Sequence, residues 1–448
     1  MAGKHPARRV VGGGDGRLAT RSTIGCSARR GGHLLTGAED RARSVRAYTP
    51  LVPGPSLPCP VCAHPVEALA SLGSVPVHVG LLWRSPDEAR SCPRGDLDLV
   101  LCPACGHVAN AAFDPTRLDY TGDYDNALHH SPRFLRWEAG LVADLATGLA
   151  PGATVVEVGC GDGRFLAQLC RRADLRGVGF EPGFNPVRAD AGLDGADVTV
   201  VDDFATPEAV AAHAPALVVA RHVLEHLPAP GDFLAGMAAL APGVRVYLEV
   251  PDLDFALVRG ALEDFMYEHC GYYTAVTLGA ALRWAGFTVE KAESTFDGMF
   301  AAVTATTAGP AAGGTGGAGV PADPAVDPGE LERIRSGIAA IEERIERLVA
   351  EFARRRRQGQ RIVAWGGGAR TVGLLNLVAE AALAIDLVVD INPRKQGTFV
   401  TGTGHAIRAP SVLSTDPPDA VYVVNPAYRD EITEMLTELG VAADVFSV

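Results

Sequence analysis

Short apolar runs alternate with Ala- and Leu-rich stretches of helical character from about residue 130 to residue 305. Five of the runs read as strands because they are rich in Val and are followed by turn residues. They are "TVVEV", "RGVGF", "VTVV", "ALVVA" and "VRVYLEV". Strands that alternate with helices in this way predict a parallel α/β sheet with crossover connections.

Other regions with different patterns flank this one. Residues 330–448 open with a predicted helix whose apolar positions recur at steps of three and four, and continue with a second α/β unit that starts at "RIVAWGGGAR". The apolar positions are Ile334, Ile338, Ile341, Ile345, Leu348 and Phe352. Residues 307–329 are rich in Gly, Pro and Ala and predict a linker, and residues 55–115 carry paired cysteines. Residues 1–50 lack periodicity and predict a disordered tail or an over-extended start site.

Charge and composition narrow the class of function. The chain has 448 residues and a formal net charge of −13, which argues against nucleic acid or an anionic membrane as its main partner. Its apolar runs stay short of the ~20 residues that a membrane span needs, and the basic tail lacks a signal-peptide core. We therefore expect a cytoplasmic protein that binds neither membranes nor nucleic acids.

Four of the nine cysteines form two CxxC pairs, Cys59 with Cys62 and Cys102 with Cys105. Each CxxC turn brings two thiolates to one ion, and four thiolates match the tetrahedral preference of Zn²⁺. Because all four positions are thiolates, no coordination position stays open, and the pattern predicts a structural zinc site. Four incidental thiols are the alternative.

The stretch "TVVEVGCGDGRFLAQL" predicts a strand over Thr154–Val158, a turn with Gly159, Gly161 and Gly163, and then a helix. Glycines at these positions allow a tight turn and a close approach of a ligand to the backbone. Binders of nicotinamide cofactors and of S-adenosylmethionine share such a turn, so the glycines alone do not decide between them.

Acidic residues near the ends of three predicted strands favour S-adenosylmethionine. Glu157 precedes the first glycine, at a place suited to the methionine end of that cofactor. Glu181 ends the second strand and suits the two ribose hydroxyls, and Asp202 and Asp203 follow the third strand, near the expected adenine. This order predicts a class I methyltransferase; an oxidoreductase with a nicotinamide cofactor is the alternative.

The fourth predicted strand ends at "RHVLEH", which includes Arg221, His222, Glu225 and His226. Ligands of open α/β sheets bind at the carboxyl ends of the strands, so these side chains are expected near the cofactor, with Arg221 in contact with it. One histidine would line the cofactor pocket while the other faces the substrate. A metal held by His222 and His226 is the alternative, since they are spaced four apart.

Polar aromatic residues concentrate in "MYEHCGYYT", residues 266–274, beyond the fifth strand. There Glu268 could orient His269, and Tyr272 and Tyr273 could line the pocket; core packing is the alternative for all of these rings. A second polar aromatic cluster lies in residues 118–134 and predicts a lid or a surface loop. Its members are Tyr120, Tyr124, His129, His130 and Ser131.

These motifs together resemble the three-domain sugar C-methyltransferases. The resemblance covers roughly residues 57–448 and rests on "CPVC…CPACGH", "VVEVGCGDGRFL", "RHVLEH", "YEHCGYYT", "VAWGGGARTVGLLN" and "DINPRKQG…GTGH". It implies an α/β protein in which a small N-terminal zinc domain and a C-terminal Rossmann-like domain flank a class I methyltransferase Rossmann-like domain. It also implies methylation at C-3 of a dTDP-linked 4-keto-6-deoxysugar in antibiotic or other deoxysugar biosynthesis, by a monomer or weak homo-oligomer.

In that family a His–Glu pair, a second histidine and a tyrosine move the protons without a metal. The resemblance assigns these roles to His269 with Glu268, to His226 or alternatively His222, and to Tyr124. It also places a pyrophosphate near Gly366–Gly368, Arg370, Arg394 and Lys395; a purely structural role of this domain is the alternative.

The chain departs from the family at two places. Met266 stands where a substrate-facing phenol is common, unless Tyr267 compensates, and "RHVLEH" adds Arg221 and Glu225. An O- or N-methyltransferase and a binding protein without catalysis remain the rival predictions.

Overall fold

A computed structural model describes residues 57–118, 123–125, 127–185, 193–259, 261–309 and 326–447. The predicted tail over residues 1–50, Tyr120 and most of the predicted linker lie outside these residues. Within the described ranges, no helix combines the length and the apolar character that crossing a membrane requires.

The N-terminal region forms a four-stranded antiparallel sheet in the order β1-β2-β3-β9. Its elements are β1 (Glu67–Pro76), helix α1 (Pro86–Arg90), β2 (Arg94–Leu101), β3 (Val108–Asn110) and β9 (Gly271–Tyr272). Alternating residues of β2, including Leu97 and Leu99, are fully buried, as expected for strands with one face on a core. The last strand, β9, comes from the loop that contains His269, so this sheet and that loop are hydrogen-bonded together.

The central region is a seven-stranded sheet in the order β10-β11-β8-β7-β4-β5-β6. Its strands are β4 (Thr154–Val158), β5 (Arg176–Phe180), β6 (Asp197–Val201), β7 (Leu217–Arg221), β8 (Arg245–Pro251), β10 (Thr288–Thr295) and β11 (Phe300–Thr306). Its helices are α2 (Pro132–Ala146), α3 (Arg164–Ala173), α4 (Pro207–Ala211), α5 (Pro230–Ala238), α6 (Leu253–Arg259) and α7 (Ala275–Trp284). The first five strands are parallel, as predicted, and the hairpin of β10 and β11 adds an antiparallel edge.

The C-terminal region is a five-stranded parallel sheet in the order β14-β13-β12-β15-β16. Its elements are α8 (Pro328–Arg357), β12 (Ile362–Trp365), α9 (Ala369–Leu377), α10 (Ala379–Ala384), β13 (Ile385–Val389), β14 (Ile407–Arg408), β15 (Ala420–Val423), α11 (Arg429–Glu438) and β16 (Asp444–Phe446). Short 3₁₀ helices occupy Pro115–Arg117, Leu224–His226, Leu262–Asp264, Pro410–Ser414 and Pro426–Tyr428.

Helix α8 starts at Pro328, after the N-cap Asp327, whose carboxylate accepts a hydrogen bond from the Gly329 amide. Five of the six predicted apolar positions are buried, but Ile345 is only partly covered. Arg355 is buried instead, because its guanidinium pairs with Asp444 and lies 3.7 Å from the ring centroid of Phe446.

One apolar core joins the N-terminal sheet, helix α8 and one face of the C-terminal sheet. Phe265, Met266 and Tyr267 belong to this core, so the segment that leads to His269 is packed among three regions of the chain. The two faces of the central sheet have cores of their own. The loop that contains His269 lies beyond the carboxyl ends of the parallel strands. It is packed against both the N-terminal and the C-terminal region.

Candidate active site

The four paired cysteines meet in one cluster. Their Sγ atoms lie 3.6 Å apart between Cys59 and Cys105, 3.4 Å between Cys62 and Cys102, and 3.5 Å between Cys62 and Cys105. A tetrahedral Zn²⁺ with bonds of about 2.3 Å would place its sulfurs about 3.8 Å apart. The spacing therefore fits a four-thiolate metal site, and each pair is brought together by a tight turn after a short strand or bridge.

The glycine-rich turn after β4 has the conformation that its residues predict. Gly159, Gly161 and Gly163 have φ of +68°, +58° and +75°, in the left-handed region that favours glycine. A Cβ at Gly159 would lie 2.4 Å from Cγ2 of Val223, whereas a Cβ at Gly161 would meet nothing within 4 Å. The turn is thus tight on its inner side and open where a ligand would approach.

Carboxylates follow the ends of the two neighbouring strands, and one of them contacts this turn. Glu181 follows β5, and its Oε2 accepts a hydrogen bond of 2.9 Å from the Gly161 amide; burial raises the pKa of this carboxyl group. Asp202 follows β6 and accepts a hydrogen bond of 2.8 Å from the Gly183 amide. Asp203 beside it is exposed. These groups can accept hydrogen bonds from ribose hydroxyls and an adenine amine.

Glu157 is buried within β4, with 4% of its surface exposed, and its Oε2 has no hydrogen-bond partner among the described residues. Burial raises the pKa of its carboxyl group to about 8. A cationic ligand group beside this carboxyl would favour its ionised form and could pair with the free Oε2. Together with Glu181 and the open space at Gly161, Glu157 makes the site fit S-adenosylmethionine.

Arg221 is held inside the protein. Its Nε donates to Oε1 of Glu249 at 2.9 Å, and its NH1 donates to Glu138 at 3.3 Å. Its guanidinium also lies 4.3 Å from the ring centroid of Phe165. The sequence predicts that Arg221 contacts the cofactor, whereas the structure shows these internal partners for it.

His222 has a φ of +55°, which is rare for a residue other than glycine. Its Nε2 lies 3.4 Å from Oε1 of Glu249 and its Nδ1 lies 3.6 Å from Oε1 of Glu225. Burial lowers the pKa of this imidazole, but the two carboxylates outweigh burial and raise it to about 9. His222 is therefore a cation at neutral pH, fixed between two anions.

His226 and His269 lie side by side, with ring centroids 4.9 Å apart. Nδ1 of His226 lies 2.8 Å from the backbone oxygen of Glu268, and its Nε2 lies 3.9 Å from Oε1 of Glu225. His269 is 7% exposed; burial, helped by the charge of His226, lowers its pKa to about 3. His269 is therefore neutral at physiological pH, as a general base must be before it acts.

The carboxylate of Glu268 has partners other than the neighbouring His269. Its Oε1 lies 3.1 Å from Nδ1 of His78, and its Oε2 accepts a hydrogen bond of 2.9 Å from the hydroxyl of Tyr124. The prediction that Glu268 orients His269 thus differs from the structure, in which these two successive side chains have different partners. Sequence reasoning missed His78; its only local signal is a polar residue between the buried Val77 and Val79.

The phenols of residues 266–274 pack in cores. The hydroxyl of Tyr267 accepts a hydrogen bond from the Asp114 amide at 2.8 Å, and its ring covers Gly95. The hydroxyl of Tyr272 donates to the Met266 carbonyl at 2.9 Å, and the ring of Tyr273 lies against His107. The structure therefore favours the core-packing alternative, and Tyr267 does not take the place of a phenol at Met266.

Among the described members of the second polar aromatic cluster, Tyr124 is the one that contacts a catalytic candidate, through its hydrogen bond to Glu268. His129 and His130 pack on each other with ring centroids 4.6 Å apart. Ser131 caps helix α2 and donates a hydrogen bond of 2.9 Å to Glu431.

The cations that were predicted to meet a pyrophosphate have carboxylate partners. Arg370 pairs with Asp264, Arg394 pairs with Asp123 and Asp125, and Nζ of Lys395 lies 4.0 Å from Asp390. A phosphorylated ligand would have to compete with these ion pairs. That prediction consequently receives no support from the geometry.

Two family models match the chain. One describes a methyltransferase domain and matches residues 128–292; the other describes a C-methyltransferase C-terminal domain and matches residues 330–445. They confirm the predicted class I Rossmann-like α/β fold of the methyltransferase region and the predicted kind of C-terminal domain. The zinc site and the sugar substrate stay predictions. A search of curated proteins finds no significant match.

Similar solved structures include the complex of the Haloferax volcanii Trm112 methyltransferase activator with a methyltransferase, at 18% identity over 39% of this chain and 92% of that one. Another is an O-methyltransferase family protein from Burkholderia thailandensis, at 17% identity over 38% of this chain and 56% of that one. A third is the Haemonchus contortus phosphoethanolamine N-methyltransferase 2 with S-adenosyl-L-methionine, at 12% identity over 38% of this chain and 52% of that one. With TM-scores of 0.32, 0.32 and 0.30, they carry no information on substrate or reaction.

Proposed function

Because the chain is an S-adenosylmethionine-dependent methyltransferase with a C-methyltransferase C-terminal domain, we propose that it methylates carbon C-3 of a nucleotide-linked 4-keto-6-deoxysugar. The observation that carries this proposal is the buried imidazole of His269, which lies beside His226, with ring centroids 4.9 Å apart, in the loop beyond β8. A carbon atom becomes a nucleophile only after a base removes its proton. An unprotonated imidazole beside the methyl-donor site supplies that base.

Gly159, Gly161, Glu181 and Asp203 would hold S-adenosylmethionine, with Glu157 toward its methionine end. When bound, this cofactor supplies a methyl group on a positively charged sulfur. The chain itself supplies alignment: the open glycine turn and the loop with His269 lie at the same edge of the central sheet. Holding the reacting atoms in line is expected to be the main source of acceleration.

The C-4 carbonyl of such a sugar makes the neighbouring C-3 proton acidic. His269 takes this proton, and the negative charge that develops on the carbonyl oxygen is stabilised by a hydrogen-bond donor. His226 lies next to His269 and is positioned for that role. The carbon would form a bond to the methyl group as the S–CH₃ bond breaks, and the electron pair of that bond would stay on sulfur as a neutral thioether. The carbonyl is then restored, and the proton on His269 passes to solvent.

The side chains of Tyr124 and Glu268 are polar groups next to these histidines. The Tyr124 hydroxyl donates to Glu268, whose other oxygen is held by His78 from the N-terminal region. We assign them to sugar hydroxyls, because a carboxylate and a phenol offer both acceptors and a donor. A dTDP-linked sugar, a cytoplasmic site of action and a monomer or weak homo-oligomer remain parts of this proposal.

The test uses wild-type enzyme, S-adenosylmethionine and a panel of 4-keto-6-deoxysugar nucleotides in heavy water. We expect deuterium exchange at C-3 and a new C–CH₃ signal by NMR. His269→Gln should lose both by a factor of about 10²–10⁴, the usual contribution of a positioned base. His213→Gln, at an exposed position of the same domain, is the matched control and should retain both. Methylation of oxygen without exchange would contradict the proposal.

For the four thiols we propose a structural Zn²⁺ that ties the two CxxC turns together. The protein purified without chelators should contain one zinc ion per chain by elemental mass spectrometry. Cys102→Ser should lower the zinc content and the melting temperature, because binding of the metal contributes to folding. Cys92→Ser, outside the cluster, is the control. A zinc-free protein with normal stability would rule the site out.

A further inference from the structure

Glu225, His226 and His269 form a cluster of residue types that bind metal ions. The first two lie in the 3₁₀ helix Leu224–His226 after β7, and His269 lies in the loop beyond β8. Each residue offers one ligand atom, and the three atoms lie within 4.8 Å of one another. Nε2 of His226 and Oε1 of Glu225 are 3.9 Å apart, a gap that one ion bridges with two bonds of about 2.0–2.2 Å.

The carboxylate of Glu225 is buried and lacks hydrogen bonds. Its residue surface is 2% exposed, and neither oxygen has a hydrogen-bond partner in the described part of the chain. A buried carboxylate in such surroundings is costly unless positive charge compensates it. His222 supplies part of that charge, but its Nδ1 is 3.6 Å from Oε1, too far for a hydrogen bond. Both oxygens therefore keep lone pairs for a second cation.

The two histidines of the cluster offer nitrogens to the same ion. Nδ1 of His226 lies 2.8 Å from the backbone oxygen of Glu268, which can only accept a hydrogen bond. Nδ1 therefore carries a proton, and Nε2 is left for a ligand on the side of Glu225. Histidines that bind metals usually donate their other ring N–H to a carbonyl or carboxylate in this way. The buried ring of His269 stands beside that of His226 and offers a further nitrogen.

We propose that Glu225, His226 and His269 bind one divalent transition-metal ion, such as Zn²⁺ or Co²⁺, and that the bound ion inhibits the enzyme. Two imidazoles and one carboxylate are a common donor set for such ions. The thiol of Cys270 donates to the backbone oxygen of Glu225 at 3.5 Å, so sulfur is not part of the set. Inhibition rests on the proposed function, because the ion occupies the lone pair with which His269 takes the C-3 proton.

The cationic ring of His222 opposes the ion. It lies beside Glu225, and its Nε2 is 3.4 Å from Oε1 of Glu249 on β8, which holds it in place. Like charges repel at this distance, so removal of the His222 ring should not weaken the metal site. This expectation separates the proposed ligand set from a pair formed by His222 and His226.

Calorimetry of the full chain with Co²⁺ tests the site without a substrate. We expect one Co²⁺ per chain in addition to any bound by the four thiolates. Its visible absorption should lack the intense near-ultraviolet band of Co²⁺ bound to sulfur. Glu225→Gln and His226→Gln should each weaken this binding by about 10–100-fold or more, since loss of even an outer partner of a ligand costs about that much.

His222→Asn is the matched control, because asparagine tolerates the φ of +55° at this position. It should bind Co²⁺ at least as tightly as the wild type. If Glu225→Gln does not fold, His226→Gln carries the test, since 29% of the His226 side chain is exposed. The inference is overturned by a wild type without the sulfur-free site, by unchanged affinity in either ligand variant, or by a loss in His222→Asn.

The inhibitory role is tested on the methylation reaction. Co²⁺ should halve the rate at the concentration that half-fills the site by calorimetry, and dilution of the ion should restore the rate. A rate that stays the same or rises when the site is filled would overturn the role of the ion as an inhibitor. An enzyme that methylates none of the sugars contradicts the proposed function instead, because calorimetry does not depend on a substrate.

Discussion

The chain has two glycine-rich turns, one after β4 and one after β12. They have similar backbone hydrogen bonds but differ in the space around them. In the central region, Gly161 donates its backbone N–H to Glu181 after the next strand; in the C-terminal region, Gly367 donates to Asp390 in the same way, at 2.6 Å. Each turn follows a buried strand and leads into a helix. By pattern alone, both would be nucleotide sites.

The space around the two turns separates them. A Cβ at Gly161 would meet nothing within 4 Å, whereas one at Gly367 would lie 3.0 Å from Cδ1 of Ile407. A Cβ at Gly368 would lie 3.5 Å from Nζ of Lys395, which itself stands 4.0 Å from Asp390. The C-terminal turn is thus filled by its own chain. A strand–glycine–helix pattern indicates a backbone conformation, and the side chains around it decide whether a ligand fits.

The largest effect on this comparison is expected from Gly159→Ala. A left-handed φ costs a non-glycine residue about 1–2 kcal/mol, and the clash with Val223 adds about 1–3 kcal/mol. The turn would relax to another conformation in the free protein, and restoring the binding conformation would cost free energy. Calorimetry should therefore show an affinity for S-adenosylmethionine that is reduced by about 100-fold. Gly366→Ala, at the first glycine of the other turn with a φ of +106°, is the matched change and should leave this affinity unchanged. Equal losses in both variants would contradict the comparison.

A smaller effect is expected from the two acidic partners. Glu181→Gln removes the charge that we assign to the ribose hydroxyls, and a charged hydrogen bond contributes about 1.5–3 kcal/mol. The dissociation constant for S-adenosylmethionine should rise by about 10–100-fold. Asp390→Asn should lower the melting temperature without changing that constant. A weakened cofactor affinity in Asp390→Asn would show that the C-terminal turn also serves the cofactor.

The third effect concerns stability rather than cofactor affinity, and its dependence on pH. The carboxyl pKa of Glu157 is about 8 in the folded chain and has an ordinary value of 4.5. Between these pH values the unfolded chain has lost this proton while the folded chain keeps it, so this group weakens folding as the pH rises. Glu157→Gln should therefore gain melting temperature relative to wild type at pH 8 and gain little at pH 4.5. An equal difference between the two proteins at both pH values would contradict the assignment.

Features that depend on neighbouring residues in the chain could be predicted from the sequence. The strand Thr154–Val158 has the predicted bounds, and Glu181 follows β5 beside the glycine turn as expected. Helix α8 buries most of its predicted face. Each of these follows from hydrophobic periodicity or from the φ that glycine permits, and both are local properties.

Pairings over long distances in the chain could not be predicted. His78 and Glu268 are 190 positions apart, and nothing near either residue indicates the other. The same holds for Arg370, whose partner Asp264 lies in another region, and for Tyr267, whose hydroxyl meets the Asp114 amide. Whether a charged or phenolic side chain faces a ligand or a partner depends on packing that a periodic pattern does not contain.

The short strand β9 has a consequence for how the chain is made. Gly271 and Tyr272 pair with Ala109 and Val108, so the N-terminal sheet gains its last strand from a segment about 200 residues beyond the start of β1. At the usual speed of synthesis, a ribosome takes about 10–40 s to cover that distance. For the part of this interval that follows the synthesis of Asn110, the edge of β3 stands without its neighbour. Translation pauses within this stretch should therefore favour aggregation of the nascent chain more than pauses after Tyr272.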